Sequence, residues 1–466
     1  MRLLEHLLTL HAFIVMTGLT IYVVSSRSLR LRRHPSAAIA WVIALVLMPY
    51  LALPLYLIFG IRKVNIDRPT DKPHALASRS SHPNTLAAQT QQLAAIMALP
   101  DASSYHELNI HQDGTQALHA LRNMINAATH SIDLCTFILA RDTLGDEVVA
   151  HLKRRAREGI KIRLLLDGVG VLLGGRHDFK KLSAEGIQVV LFVPPFYSPL
   201  QGRTNLRNHR KMLIVDNTAL WCGGRNLAAE YFEGDANHAK MRPWTDLSFD
   251  LQGPLALQAQ ELFEQDWEFA SQRTLRHQHT PMSPNLPDVP LAQLIASGPD
   301  QADDTIYTLL ISSCFNARKS ILAVTPYFVP DPTLLMSLTL AARRGVTVDL
   351  LLPKKSNHRL ADMARHRSLR ELTAAGAHVW FLPRMIHAKA IVIDTELALV
   401  GSANLDERSL FLNYELMLAF YGETDVRRFG QWIENQLKAA AAYNVRTPGF
   451  WRETLEGLFL WLAFQL

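Results

Sequence analysis

One pattern occurs twice in this 466-residue chain, at identical spacing. His209-Arg210-Lys211-Met212-Leu213-Ile214-Val215-Asp216 is followed after six residues by Gly223-Gly224-Arg225-Asn226. His387-Ala388-Lys389-Ala390-Ile391-Val392-Ile393-Asp394 is followed after six by Gly401-Ser402-Ala403-Asn404. Both obey H-x-K-x4-D-x6-G-x-x-N, and chance is a poor explanation. The surroundings repeat as well. A helical pattern (Ala117 to Ala128; Leu309 to Ala317) leads into a strand-like run (Ser131 to Phe137; Ser320 to Val324). A second helix (Asp146 to Arg157; Pro332 to Arg344) leads into another (Gly159 to Asp167; Gly345 to Leu352). Each copy goes on to a short helix ending in Gly186 or Gly376 and a further apolar strand. Strands alternating with helices predict an α/β fold with parallel strands. A repeat of this length means two similar lobes and not a solenoid.

The repeated residues carry chemistry. His and Lys two apart on a strand face the same way. The apolar run after them makes a buried strand, which the Asp ends. The glycine lets backbone approach closely, and the asparagine supplies an amide donor. Two copies across a pseudo-twofold interface would converge two imidazoles, two ammonium groups and two amides on one spot. Such a site fits a phosphodiester: lysines and asparagines hold the non-bridging oxygens, one histidine attacks phosphorus, and the other protonates the leaving alkoxide. A metal reading of His209 and His387 ranks low, because neither has a carboxylate or second His at ligand spacing within its motif, and the lysines would repel a cation.

The amino-terminal sixty residues have another character. Leu7 to Val24 is 18 residues without a formal charge, and Ala37 to Ile61 is 25. About 20 apolar residues cross a bilayer core, so the two runs predict a transmembrane hairpin with a basic turn (Arg27, Arg30, Arg32, Arg33). Pro49 and Pro54 are tolerated in membrane helices. Basic residues flank both sides, leaving open which side carries the large domain. These runs partly account for a charged fraction of only 19% and a mean hydropathy of +0.04. Three cysteines (Cys135, Cys222, Cys314) without a C-x-x-C pair argue against a structural zinc site or disulfide framework. The net charge of +6 is small for the length and not concentrated enough to imply nucleic acid.

The duplicated motif resembles that of the phospholipase D superfamily, and together with the paired amino-terminal spans the chain looks like a bacterial cardiolipin synthase. Tyr56 to Gly60, Arg408-Ser409 and Asn413-Tyr414-Glu415 extend the resemblance. It implies two phospholipase D-like lobes of mixed β-sheets flanked by helices, related by pseudo-twofold symmetry. The expected organisation is a hairpin (1–62), a linker (63–105) with helical potential near Thr85 to Met97, a first lobe (106–270), a connector (271–292) and a second lobe (293–466). It further implies that His209, Lys211 and Asp216 with His387, Lys389 and Asp394 form the catalytic sets, Asp216 and Asp394 more plausibly bracing the fold. Asn226, Asn404 and Ser402 would support phosphate binding. In the family a downstream carboxylate holds each catalytic histidine. Glu415 matches that position for the second half. Aligning the strands that end at Gly253 and Gly422 assigns Asp246 to His209. Gly224 departs from Ser402, which suggests unequal roles for the histidines.

The implied reaction transfers a phosphatidyl group from one phosphatidylglycerol to another through a phosphatidyl-histidine; family analogy favours His209 over His387 as nucleophile, and the sequence leaves the choice open. It needs no cofactor and no metal, and it places the enzyme in the bacterial inner membrane among phospholipids. Rivals are a membrane-anchored phospholipase D that hydrolyses its substrate and a catalytically silent membrane scaffold. The insert Pro194 to Pro199 reads as a lid or a packed loop, and the aromatic tail from Phe450 as an interfacial or a buried segment. The oligomeric state stays open.

Overall fold

The apolar runs around each motif become the central strands of two sheets built to one plan. The computed structural model describes residues 2–28, 35–60, 85–194, 205–233, 243–273, 289–301, 303–445, 448, 449, 453, 456 and 457. The basic turn of the amino-terminal region, most of the Pro194 to Pro199 insert, most of the connector and most of the aromatic tail lie outside these residues.

The first sheet has seven strands in the order His106–Ile110, Ser248–Gln252, Ala219–Gly223, Met212–Val215, Ser131–Thr136, Lys161–Asp167 and Ile187–Phe192. The second repeats that order with Leu291–Ser297, Asn413–Phe420, Leu397–Gly401, Ala390–Ile393, Ser320–Val324, Thr347–Pro353 and His378–Leu382. Short strands at Ser103–Ser104 and Ala441–Ala442 extend its two ends. In each sheet the three strands linked through helices run parallel. The motif strand and those beyond it pair antiparallel. The sheets are therefore mixed, because the chain leaves the βαβ pattern and turns back through a tight hairpin at Asp216 and again at Asp394. Both aspartates adopt a left-handed backbone (φ 51° and 53°), a conformation that Asp tolerates better than most residues.

The helices obey their local signals. Asp113, Asp142, Asp178 and Asp331 each accept a backbone N–H at a helix start, satisfying donors that the helix itself leaves open. Thr85 does the same for Leu86–Ile96, the helix expected in the linker. Between the sheets lies one apolar core drawn from both halves, including Phe192, Met212, Phe249 and Phe263 from the first and Leu294, Val400, Phe420 and Trp432 from the second. The halves therefore share buried apolar surface as one domain would.

The amino-terminal region differs from expectation in one respect. Arg2–Ser28 forms a single helix, but the second apolar run is broken into Pro35–Leu47 and Pro49–Phe59. Pro49 opens the second of these helices, at a position where its missing N–H is harmless. Met48 before it leaves helical geometry (φ −135°, ψ 54°), as a residue preceding proline tends to do. Ser25 and Tyr56 share a 2.5 Å hydrogen bond across the bundle, and Tyr22 and Trp41 pack on the Tyr56 ring. Among the described residues no helix is long and apolar enough to cross a membrane.

Candidate active site

Each histidine lies three residues before its motif strand (Met212–Val215, Ala390–Ile393), so His and Lys sit on the approach to the strand and not on its face as expected, and each histidine is fastened to the other half. The His209 N–H donates to the Tyr414 carbonyl at 2.9 Å, and the His387 N–H donates to the Thr245 carbonyl at 2.7 Å. Arg207–Asn208 pairs in parallel with Asn413–Tyr414, and Ile386 forms the matching bridge with Thr245. The residue after Tyr414 is Glu415, and the residue after Thr245 is Asp246. The backbone exchange thus brings each carboxylate under the opposite histidine. His209 Nδ1 lies 3.0 and 3.2 Å from the Glu415 oxygens, and His387 Nδ1 lies 2.8 Å from Asp246 Oδ2.

This corrects the expected pairing of Asp246 with His209 and Glu415 with His387. The alignment behind it holds, since the Gly224 N–H bonds to Leu247 O and the Ser402 N–H to Leu416 O in the same way, both at 2.9 Å. Asp246 and Glu415 are structural equivalents, but each serves the other lobe. The two carboxylates have different surroundings. Glu415 accepts from Ser402 Oγ at 2.5 Å and Asn413 Nδ2 at 3.2 Å. Asp246 accepts from the Leu247 N–H at 2.7 Å. A Cβ on Gly224 would stand 2.3 Å from Asp246 Oδ1. The shorter aspartate thus occupies the space in which a serine would sit, which explains the missing hydroxyl. The preceding motif glycines are required by close strand approach: a Cβ on Gly223 or Gly401 would lie 2.4 or 2.1 Å from the carbonyl oxygen of Leu247 or Leu416.

Lys211 Nζ donates to the His209 carbonyl at 2.6 Å. Lys389 Nζ donates to the His387 carbonyl and lies 2.7 Å from His387 Nδ1 and 2.9 Å from Nε2. Both lysines, both carboxylates and His387 are buried, whereas the His209 side chain keeps 13% exposure against 4% for His387. Phe137 packs edge-on against the His209 ring at 5.2 Å. Tyr231 meets His387 edge-on at 5.0 Å, with Trp244 tilted at 5.7 Å.

Asn226 and Asn404 are buried, and their amides are engaged within their own halves. Asn226 Nδ2 donates to the Tyr231 hydroxyl at 2.9 Å and Asn404 Nδ2 to Ser409 Oγ at 3.1 Å. Asp216 and Asp394 do not face the imidazoles. Asp216 accepts from the N–H groups of Thr129, His130 and Ser131, each at 2.7 Å. Asp394 accepts from those of Arg318, Lys319 and Ser320 at 3.0, 2.7 and 2.9 Å. They brace the turn that precedes a central strand.

Sequence reasoning missed Arg210, which lies between His209 and Lys211 in the motif. It is fully buried, ion-paired with Asp266, and donates to the carbonyls of Glu415 at 3.1 Å and Ser297 at 3.0 Å. It thus ties the first motif to the opposite strand. Asp266, on the helix Pro254–Ser271, has no sequence signal. Phe137, Tyr231 and Trp244 had none beyond their aromatic character.

Burial depresses both imidazoles. His387, pressed further by Lys389, falls to about 3, and His209 also lies below the usual histidine range despite Glu415. Burial pulls Lys211 down to about 8 and Lys389 to about 7. Burial alone would raise the two carboxyls, but His387 beside Asp246 and His209 beside Glu415 hold them below the usual carboxylate range. Both imidazoles are therefore neutral near pH 7, each with Nδ1 against an ionised carboxylate. That arrangement fixes the tautomer and leaves Nε2 as the lone-pair nitrogen. Each group's titration also feels residues of the other half, so the two sets form one site.

Two repeated mixed-sheet lobes contributing crossed His–carboxylate pairs to one lysine-lined site define a phospholipase D-like enzyme. The chain matches the family described as "Cardiolipin synthase, PLD-like domain" over 121–267 and 310–437, and the "Phospholipase_D-nuclease N-terminal" family over 18–60. It is 32% identical over 432 residues to the major cardiolipin synthase ClsA of Bacillus subtilis, covering 87% of this chain and 88% of that one. It is 30% identical over 426 residues to a cardiolipin synthase of Clostridium perfringens, covering 87% and 89%. Phosphatidylserine synthase of Haemophilus influenzae shares the fold, with a TM-score of 0.64 at 13% identity over 81% of this chain and all of that one. The chain belongs to the cardiolipin synthase family of phospholipase D-like phosphatidyltransferases.

Proposed function

We propose that the enzyme makes cardiolipin from two phosphatidylglycerol molecules by way of a phosphatidyl-histidine. The observation supporting this is the crossed pair of imidazoles, each anchored at Nδ1 by a buried carboxylate, in a single site with two depressed lysines. The phosphodiester anion enters between Lys211 and Lys389, whose ammonium forms its charge stabilises. His209, the more open of the two, attacks phosphorus through Nε2. His387, protonated as the anion arrives beside it, gives its proton to the departing glycerol oxygen. The phosphorus–oxygen bond to glycerol breaks as the phosphorus–nitrogen bond forms. His387 then takes the proton from a terminal hydroxyl of a second phosphatidylglycerol, whose oxygen displaces His209. Phosphodiester energy is retained throughout, so no nucleotide is needed. Aromatic packing by Phe137, Tyr231 and Trp244 limits water, the competing acceptor.

Residues 1–62 serve as a membrane anchor of the inner membrane, multi-pass, with 63–105 as linker and 106–270 and 293–466 as lobes joined by 271–292. Exposed Phe13, Met16, Ile43, Leu47 and Leu51 support an apolar setting for this region. Incubating detergent-purified protein with head-group-labelled phosphatidylglycerol tests the reaction. Cardiolipin with free labelled glycerol is expected. Phosphatidic acid instead would make it a hydrolase, and no turnover would make it a scaffold. After incubation with phosphate-labelled phosphatidylglycerol, a denaturing quench at alkaline pH, which spares the acid-labile phosphorus–nitrogen bond, should leave the phosphatidyl label on His209, and a label on His387 would reverse the assignment.

A further inference from the structure

The strand Lys161–Asp167 ends at the active site, and the segment after it faces solvent with an unusual composition. Asp167 starts the short helix Gly168–Gly174 by accepting from the N–H groups of Val169 and Gly170, and its other oxygen accepts from the N–H of Asn208, next to His209. Gly170 lies so close to the Phe137 carbonyl that a Cβ there would be 1.6 Å away. The helix is thus seated on the residue that packs against the catalytic imidazole. From it project Leu172 and Leu173, 63% and 68% exposed. Beside them opens a cleft of about 720 Å³ whose walls include Arg141, Lys153, Arg176, Lys180 and Lys181. Its two acids are already engaged, Asp178 with the Lys181 N–H and side chain and Asp146 with His177. The cleft therefore keeps a positive excess.

The same place in the second half has the same character. After Thr347–Pro353 come exposed Lys354, Lys355 and Arg359, then Leu360 and Met363, each 40% exposed. Asn357 and His358 in this turn contact Tyr327. Both pads follow the equivalent strand of two sheets built in the same order. A soluble anion would have no use for bare leucines, and a neutral protein surface none for the lysines. Apolar side chains ringed by basic ones match the boundary between acyl chains and anionic headgroups.

We propose that Leu172–Leu173 with the Arg141–Lys181 cleft, and Lys354–Met363 opposite, are two pads that seat the catalytic lobes on an anionic bilayer, so that the site mouth meets the lipid surface. This rests on the lipid reading above and names the surface through which the substrate arrives. The three native cysteines are buried, so an added surface cysteine can be labelled selectively. Full-length Leu173→Cys, Leu360→Cys and, as a control on the exposed face of the helix Glu423–Leu437, Gln431→Cys would each carry an environment-sensitive fluorophore. The proteins are then reconstituted in vesicles of phosphatidylcholine alone or with phosphatidylglycerol.

Labels at 173 and 360 should shift to the blue and be quenched by spin-labelled lipid in the phosphatidylglycerol vesicles, while the 431 label stays aqueous. Lys180→Ala and Lys181→Ala in the Leu173→Cys background should each lower the inserted-to-free ratio roughly fivefold. Labels at 173 and 360 as aqueous as that at 431 would overturn the proposal. Equal insertion in both vesicle types would overturn its anionic part. Neither readout needs turnover, so failure here is distinct from failure of the proposed reaction.

Discussion

The Nδ1 of His209 hydrogen-bonds to Glu415, 206 positions away in the other half of the chain, and His387 bonds in the same way to Asp246. Each imidazole is therefore oriented by a lobe to which it does not belong.

Exchanging the carboxylates for amides tests the crossing. Glu415→Gln should lower the pKa of His209 and leave that of His387 nearly in place, because Glu415 is what raises His209 against burial. Asp246→Asn should do the reverse. Histidine-resolved NMR titration distinguishes these outcomes, and activity should fall by roughly 10²–10⁴ in both variants, as when an orienting carboxylate is lost elsewhere. A pKa change confined to the histidine of the same half would contradict the crossed arrangement.

The two serine-equivalent positions should answer mutation unequally. Ser402→Ala removes the hydrogen bond to the Glu415 carboxylate, a loss of about 1.5–3 kcal/mol, together with the side-chain acceptor of the Leu416 N–H, and brings no steric clash. Gly224→Ser forces a Cβ onto Asp246 and should displace the partner of His387. We expect Ser402→Ala to retain measurable turnover and Gly224→Ser to lose it, with circular dichroism confirming that both remain folded. Comparable activities would mean that Asp246 can move aside freely.

Lys389 makes folding pH-dependent in a predictable sense. Its folded pKa of about 7 lies below the ordinary lysine value of 10.5, so the unfolded chain binds the proton more tightly. The resulting cost is complete below pH 7 and disappears as pH rises through 10.5. The melting temperature of Lys389→Met minus that of the parent should therefore fall steadily from pH 7 towards pH 10. A difference independent of pH would show that burial does not disfavour this ammonium.

Asp216→Ala and Asp394→Ala should act on stability before chemistry. Each leaves three backbone N–H groups without their acceptor, at a cost of about 2–3 kcal/mol. Chemical denaturation should show the loss, and residual turnover at low temperature should exceed that of His209→Ala. Full inactivation of a stably folded Asp216→Ala would argue for a direct part in the reaction.

Much of this architecture was legible because it is written by local period. The alternating helices and strands and the Thr85 helix start derive from residues near one another in sequence. The crossed carboxylates were not legible, since spacing counted along the chain favours partners in the same half and cannot register two strands laid across an interface. The reason for Gly224 was hidden for a like cause: it depends on the length of one side chain, Asp246, arriving from a neighbouring strand. Arg210 and Asp266 show another limit, for a charged residue inside a motif reads as exposed until its buried partner is known. The break at Met48 was visible as Pro49 but was read as tolerated within one span. Proline opens a new helix there, whereas Pro54 five residues later is accommodated inside one.

The exchange of short strands between the halves, Arg207–Asn208 onto Asn413–Tyr414 and Ile386 onto Thr245, makes the catalytic unit indivisible. A fragment ending in the 274–288 segment would carry His209 without Glu415, and its complement would carry His387 without Asp246. Neither piece could orient its own imidazole, so activity from separately produced fragments would appear only on reassembly and would depend on the product of their concentrations.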